Sequence, residues 1–153
     1  MAAQLVRQVE GTRLAPYLDT SGHWTIGTGS RWLADGSPVT ASTPPLSHVA
    51  AADALMMREL RPRDLAVASL CPKGADPAQV AACVSFAYNE GVSAFAGSTL
   101  LHLWVQGDAK GAAAQFAAWN MEHDPATGQL RVNRGLTNRR AIEAAVFAGT
   151  LTV

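Results

Sequence analysis

Apolar and polar positions alternate along this chain in three different ways. In residues 2–10, Leu5, Val6 and Val9 recur at helical spacing, and Gly11 supplies a stop. That spacing predicts a short amphipathic helix. Residues 14–30, LAPYLDTSGHWTIGTGS, then break into short apolar or β-branched pieces separated by Pro16, Gly22, Gly27 and Gly29. They predict a small twisted hairpin with a Ser-Gly turn near residue 21. Residues 31–45 are irregular, with Asp35-Gly36 as a turn and Pro44-Pro45 as a break.

From residue 46 the period is helical. Ser47 can cap a helix whose stripe is Val49, Ala52, Leu55 or Met56, and Leu60, with Pro62 kinking or ending it. Residues 70–77 form a connection, and Asp76 caps a helix that has Pro77 at its first position. That helix, 77–89, carries Val80, Cys83, Val84, Ala87 and Tyr88 on one face, wide enough to be central. Further helices are expected over 94–106, over 108–119 and, with Ile142, Ala145, Val146 and Ala148 inward, over 137–148; residues 123–135 read as a polar loop. Segregated elements of this kind make an α+β fold. A β lobe of about residues 12–45 would sit in one domain of residues 1–153 with a helical lobe of about 46–153 that includes the N-terminal helix. A cleft between the lobes is the default ligand site.

Composition narrows the partners. The 153 residues hold 12 basic and 12 acidic side chains, so the formal charge is zero and nothing points to nucleic acid. Ala accounts for 29 residues and aromatics for only 7%, which favours helix. The first residues lack the basic-then-apolar run of a signal peptide, and no window offers 18 uninterrupted apolar residues. The expectation is a soluble chain made in the cytoplasm, without stable membrane association. Cys71 and Cys83 are too few for a disulfide scaffold and read as reduced structural thiols. His23, His48, His102 and His123 are scattered, so no metal site is expected.

Glu10 ends the first helix, Asp19 follows nine residues later, and Thr25 six after that. A helix end and a hairpin folded against it could bring all three together. Two carboxylates with different protonation are what glycoside hydrolysis needs, one to donate a proton and one to attack or to orient water. Spacing alone is a weak signal, because an isolated Glu and Asp are more often solvated surface charge.

The surrounding residues sharpen it. The run from Glu10-Gly11 through Tyr17, Asp19 and Thr25-Ile26-Gly27-Thr28-Gly29 closely resembles the active-site signature of phage-type lysozymes, the endolysins of glycoside hydrolase family 24. Residues 46–55, 86–101 and 135–147 resemble later segments of that family in the expected order. The resemblance implies a lysozyme-like fold in which a β-hairpin lobe and a helical lobe flank an active-site cleft. It also implies a cofactor-free, inverting muramidase acting on bacterial peptidoglycan, in a monomer released through a holin from the host cytoplasm to the cell wall. Glu10 would be the general acid; Asp19 would orient a water or stabilise charge at the sugar carbon, and Thr25 would hold that water. Arg139 would hold Glu10 in place, whereas Arg140, about 100° further round the helix, is expected in solvent. Tyr88, Ser98 and Gln115 are carried over as sugar contacts, and Asn89 as a polar residue at the lobe interface or a helix C-cap.

One departure is Ser30, where many family members have His. Arg131, Arg134, Arg139 and Arg140 together suggest a basic rim facing an anionic wall polymer. A lytic transglycosylase and a non-catalytic wall-binding module remain as alternatives.

Overall fold

The computed structural model describes residues 1–19, 22–124 and 126–153. The expected Ser-Gly turn at residue 21 falls partly outside them. In chain order the elements are α1 (Ala2–Glu10), β1 (Arg13–Leu18), β2 (Trp24–Gly27), α2 (Val49–Leu70), α3 (Pro77–Glu90), α4 (Val92–Ala96), α5 (Thr99–Val105), α6 (Ala109–Gln115), β3 (Met121–His123), β4 (Leu130–Val132) and α7 (Arg134–Phe147). This is the α+β class. Among the described residues no helix is long and apolar enough to cross a membrane. The chain divides into two compact units, Val6–Pro62 on one hand and Met1–Leu5 with Arg63–Val153 on the other.

The first unit is built on a short hairpin. Tyr17 faces Thr25 and Leu18 faces Trp24, but the register slips between Arg13 and Tyr17. Pro16 lies in the slip, and without an N–H it cannot serve a regular ladder. The chain then folds back in tight steps. Ile26 and Ser30 exchange backbone hydrogen bonds, Val39 N–H donates to the Arg31 carbonyl, and Leu46 N–H donates to the Leu14 carbonyl. Ile26, Val39 and Leu55 form the buried core, with Trp24, Leu33 and Leu46 packed against it. Gly27 has φ +67°, and a Cβ there would lie 3.1 Å from the Ala52 Cβ. The glycine lets the end of β2 press directly on α2.

The N-terminus of α2 differs from expectation. Ala51 N–H donates to the His48 ring at 3.0 Å, so His48 rather than Ser47 serves the first turn. Ala52, Leu55, Met56 and Leu60 are buried, but Val49 is 54% exposed, because the helix only begins there. Pro62 does not end it, and α2 runs on to Leu70. Burial of Leu60 and Val67 on either side of the proline sustains the helix against the lost backbone bond.

The second unit is a helical cluster around α3. Asp76 and Gln79 form a capping box at its start, with Pro77 inside the first turn. Ala81 to Ala87 are all buried, and α7 packs on this segment. The Phe86 ring meets Phe95, Phe116 and Trp119 edge-on, and Trp104 and Phe147 extend the aromatic layer. The expected 94–106 helix is two helices. Ser98 breaks the run by capping α5, accepting from Leu101 N–H.

The expected polar loop over 123–135 contains a hairpin, with Glu122 opposite Arg131 and His123 opposite Leu130. Cross-strand ion pairs hold it: Arg131 reaches Glu122 at 3.1 Å and Asp124 at 3.0 Å. Its strands are exposed and too short for an apolar alternation to show. Helix α7 begins at Arg134, three residues early, because Asn133 caps it by accepting from Leu136 N–H. On its inward side Val146 and Phe147 are buried, while Ile142 and Ala145 are half-buried and Ala148 is exposed.

Candidate active site

Helix α1 delivers Glu10 as its last residue, half-buried. Gly11, at φ +69°, turns the chain sharply into β1, so the end of the helix and the start of the hairpin lie close in sequence and space. Thr12 and Thr28 then share a hydroxyl hydrogen bond of 3.0 Å, which ties the start of β1 to the turn after β2.

Asp19 sits at the end of β1. Its backbone N–H donates to the His23 carbonyl at 2.9 Å, which continues the ladder past Leu18. Its carboxylate receives one donor on each oxygen: the His23 N–H at 2.8 Å on Oδ1 and the Arg31 guanidinium at 2.9 Å on Oδ2. The His23 ring lies 3.6 Å from Oδ1 as well. The side chain is thus fixed in one orientation with a cation beside it. Neither partner was found from the sequence. His23 read as one of four scattered histidines, and Arg31 is twelve residues away in an irregular stretch. Only the fold-back of residues 26–39 aims Arg31 at Asp19.

Thr25 is buried in β2, and its hydroxyl donates to the His23 carbonyl at 3.1 Å. With its proton committed, the oxygen keeps lone pairs to accept from another group. Tyr17 lies in β1 between Glu10 and Asp19 in sequence. Burial pushes its hydroxyl above the ordinary range, the Glu10 charge adds to this, Arg13 opposes it, and Asp19 adds a further upward push. Arg13 lies over the Tyr17 ring at 4.7 Å. Glu10, Tyr17 and Asp19 all belong to the same compact unit of the chain. Ser30, the departure from the family pattern, is fully buried, and its hydroxyl has no hydrogen-bond partner among the described residues.

The remaining candidates lie in the helical unit. Tyr88 is half-buried near the end of α3, with the Arg63 guanidinium 5.3 Å from its ring centre. Ser98 is buried and already doubly engaged, donating to the Phe95 carbonyl and accepting from Leu101 N–H. Gln115 is half-buried at the end of α6. Asn89 is neither buried nor a C-cap: Gly91 ends α3, and Asn89 Oδ1 accepts from Arg140 at 2.9 Å.

Arg139 is buried, donating to Glu143 Oε1 at 3.0 Å and to the Ser85 carbonyl at 2.9 Å. Arg140 corrects the expectation of a solvated side chain. It is 1% exposed, 2.9 Å from Glu143 Oε2, 3.2 Å from Glu90, and over the Phe86 ring at 4.9 Å. Glu143 itself is fully buried and accepts from the Ser85 hydroxyl at 2.7 Å. Burial pushes its carboxyl up, against the pull of Arg140, Arg139 and Ser85. Sequence reasoning missed Glu143, although its i, i+4 and i, i+3 spacing to the two arginines was there to be seen. The expected basic rim is overturned by the same contacts. Arg139 and Arg140 are turned inward onto Glu143, and of the two exposed members, Arg131 and Arg134, Arg131 is paired with Glu122 and Asp124.

Known proteins share this arrangement of sequence and fold. The chain is 33% identical over 145 residues to the endolysin of Bacillus phage PZA, covering 94% of this chain but only 52% of that protein, so it spans about half of that relative's length. It is 33% identical over 147 residues to the SAR-endolysin of Escherichia phage Mu, covering 96% of this chain and 78% of that one. Among solved structures, the endolysin from Escherichia coli O157:H7 phage FAHEc1 superposes with a TM-score of 0.90 at 26% identity, covering 99% of this chain and 93% of that chain. The muramidase domain of SpmX from Asticaccaulis excentricus gives a TM-score of 0.76 at 31% identity, covering 99% and 95%. The family model described as phage lysozyme matches residues 7–143, which takes in Glu10, Asp19 and Thr25 as well as the buried Arg139–Glu143 pair, and the chain belongs to that family.

Proposed function

We propose that this member of the phage lysozyme family is a muramidase, which hydrolyses the β-1,4 bond between N-acetylmuramic acid and N-acetylglucosamine in peptidoglycan. The observation that supports this most is the anchoring of Asp19 by Arg31 and His23, in the same compact unit that carries Glu10 and Thr25. One carboxyl then has a rigid polar setting and the other lies at a helix end, the asymmetry that acid and base roles need.

Glu10 donates its proton to the leaving glycosidic oxygen. Asp19 accepts one proton of a water molecule, and Thr25, whose own proton goes to the His23 carbonyl, accepts the other. With both protons held, a lone pair of that water faces the anomeric carbon, and attack from the side opposite the leaving group inverts its configuration. Arg139 is assigned its supporting role on the family likeness alone, and its guanidinium is anchored by Glu143 and Ser85. Tyr88, Ser98 and Gln115 are assigned to sugar contacts on the family likeness. No cofactor is required. Residues 1–153 act as a single lysozyme-like domain and a monomer. They reach the wall from the host cytoplasm through a holin lesion at the end of a phage cycle.

Mass spectrometry of purified peptidoglycan after digestion tests the reaction. Fragments with reducing N-acetylmuramic acid ends are expected, in the α configuration when quenched early. Anhydromuramic ends would replace hydrolysis with transglycosylation.

A further inference from the structure

Asp19 and Thr25 share one backbone reference, the peptide groups of His23. The His23 carbonyl accepts from the Asp19 N–H at 2.9 Å and from the Thr25 hydroxyl at 3.1 Å. The His23 N–H donates to Asp19 Oδ1 at 2.8 Å. These three bonds set the Asp19 backbone, the Thr25 hydroxyl and one carboxylate oxygen against each other. With them alone the carboxylate could still swing about its Oδ1 anchor. The Arg31 guanidinium, 2.9 Å from Oδ2, closes that motion.

Stability does not account for this ion pair. The Arg31 side chain is 48% exposed and that of Asp19 23%, and a pair so open to water contributes little to the folded state. The hairpin is also closed without it, by the β1–β2 ladder and the Asp19–His23 backbone bond. Yet the backbone beneath Arg31 is braced. Ser30 exchanges hydrogen bonds with Ile26, and the Arg31 carbonyl accepts from Val39 N–H at 2.9 Å. A charged donor carried on a held backbone and aimed at one oxygen of a carboxylate suits orientation rather than strength.

We propose that Arg31 is a positioning residue for the reaction, which locks the Asp19 carboxylate in the rotation that lets Asp19 and Thr25 meet the same water. The proposal rests on the muramidase reading, in which that water attacks the sugar. A carboxylate that swings leaves the line of the water, so the loss on removing Arg31 falls on turnover and not on strand binding.

The test uses the full chain and soluble, uncross-linked peptidoglycan strands, with reducing ends counted at steady state. Arg31→Ala should lower kcat about thirtyfold with KM within about twofold of the parent. Arg31→Lys should lose only about fivefold, because an ammonium reaches Oδ2 but lacks the planar fork. Guanidinium chloride at millimolar, non-denaturing concentration should restore part of the kcat of Arg31→Ala, and sodium chloride at the same concentration should not. Asp19→Ala should gain nothing from either salt. A second readout needs no activity: the carboxyl-carbon NMR signal of Asp19 at neutral pH should shift in Arg31→Ala and move back when guanidinium is added. Thermal unfolding of both Arg31 variants should match the parent, since the pair is exposed.

A kcat for Arg31→Ala within twofold of the parent would overturn the proposal, as would an Asp19 carboxyl signal that ignores the substitution. A loss confined to KM would make Arg31 a strand contact and overturn it too. So would a fall in kcat that guanidinium does not relieve and that a lower unfolding temperature accompanies. A parent that releases no reducing ends, while its Asp19 signal still answers to Arg31→Ala and to guanidinium, would instead remove the muramidase reading and leave the hold of Arg31 on Asp19 standing.

Discussion

Glu143 lies out of water between two guanidiniums that are buried on the same helix. Both arginines share this carboxylate; Arg139 also holds the Ser85 carbonyl and Arg140 also holds Glu90 and Asn89, so removing the charge of Glu143 weakens the compensation of two buried cations at once. Glu143→Gln should therefore destabilise the chain by about 3–5 kcal/mol, read from urea unfolding. A loss under about 1 kcal/mol would mean that the arginines find water instead. Cys71 offers a second single-residue test. Burial pushes its thiol up to about 11, with Asp64 adding to the shift. Its folded value is above its unfolded one, so the stabilisation it gives is complete below about pH 9 and is lost as pH rises through about 11. Iodoacetamide should consequently label Cys71 slowly at pH 7.5, with a rate that climbs tenfold per pH unit until about 11. Cys83, fully buried and with its thiol pushed well up by that burial, should stay unlabelled throughout.

Elements in this chain start and stop for local reasons that can be cut one at a time. Asp76→Ala removes both the cap and its half of the capping box on α3. About 1 kcal/mol should be lost in thermal unfolding, with no change of fold. Gly27→Ala is a different case. It puts a side chain on a residue at φ +67° and drives its Cβ to 3.1 Å from Ala52. Strain and overpacking add, so a loss of about 2–4 kcal/mol is expected, larger than for the cap. Since Gly27 closes the strand that carries Thr25, activity at a temperature well below unfolding should fall with it.

At the scale of the whole molecule, the proposed acid is separable from the fold. Glu10→Gln keeps the shape and hydrogen-bonding reach of the side chain but cannot donate the acid proton. Turbidity clearing of peptidoglycan should drop by about 10²–10⁴-fold, with circular dichroism and unfolding temperature near those of the parent. Clearing within threefold of the parent would take Glu10 out of the mechanism.

The order of elements was written in local sequence: α1 in the spacing of Leu5, Val6 and Val9, the hairpin in its glycines, α3 in Asp76-Pro77. Glu10, Asp19 and Thr25 were placed by the same local signals, at the end of α1, just past the end of β1 and within β2. Such features depend on near neighbours, whose geometry is set by period and turn chemistry. Arg31 beside Asp19, Glu143 beneath both arginines and the hairpin over 121–132 were decided by tertiary structure. Arg140 shows why: its place on the helix predicted solvent, and burial was settled by Phe86, Asn89 and Glu90, some fifty residues earlier in the chain. A charged side chain is surface by default, and only distant partners that assemble on folding can offset the cost of taking it out of water.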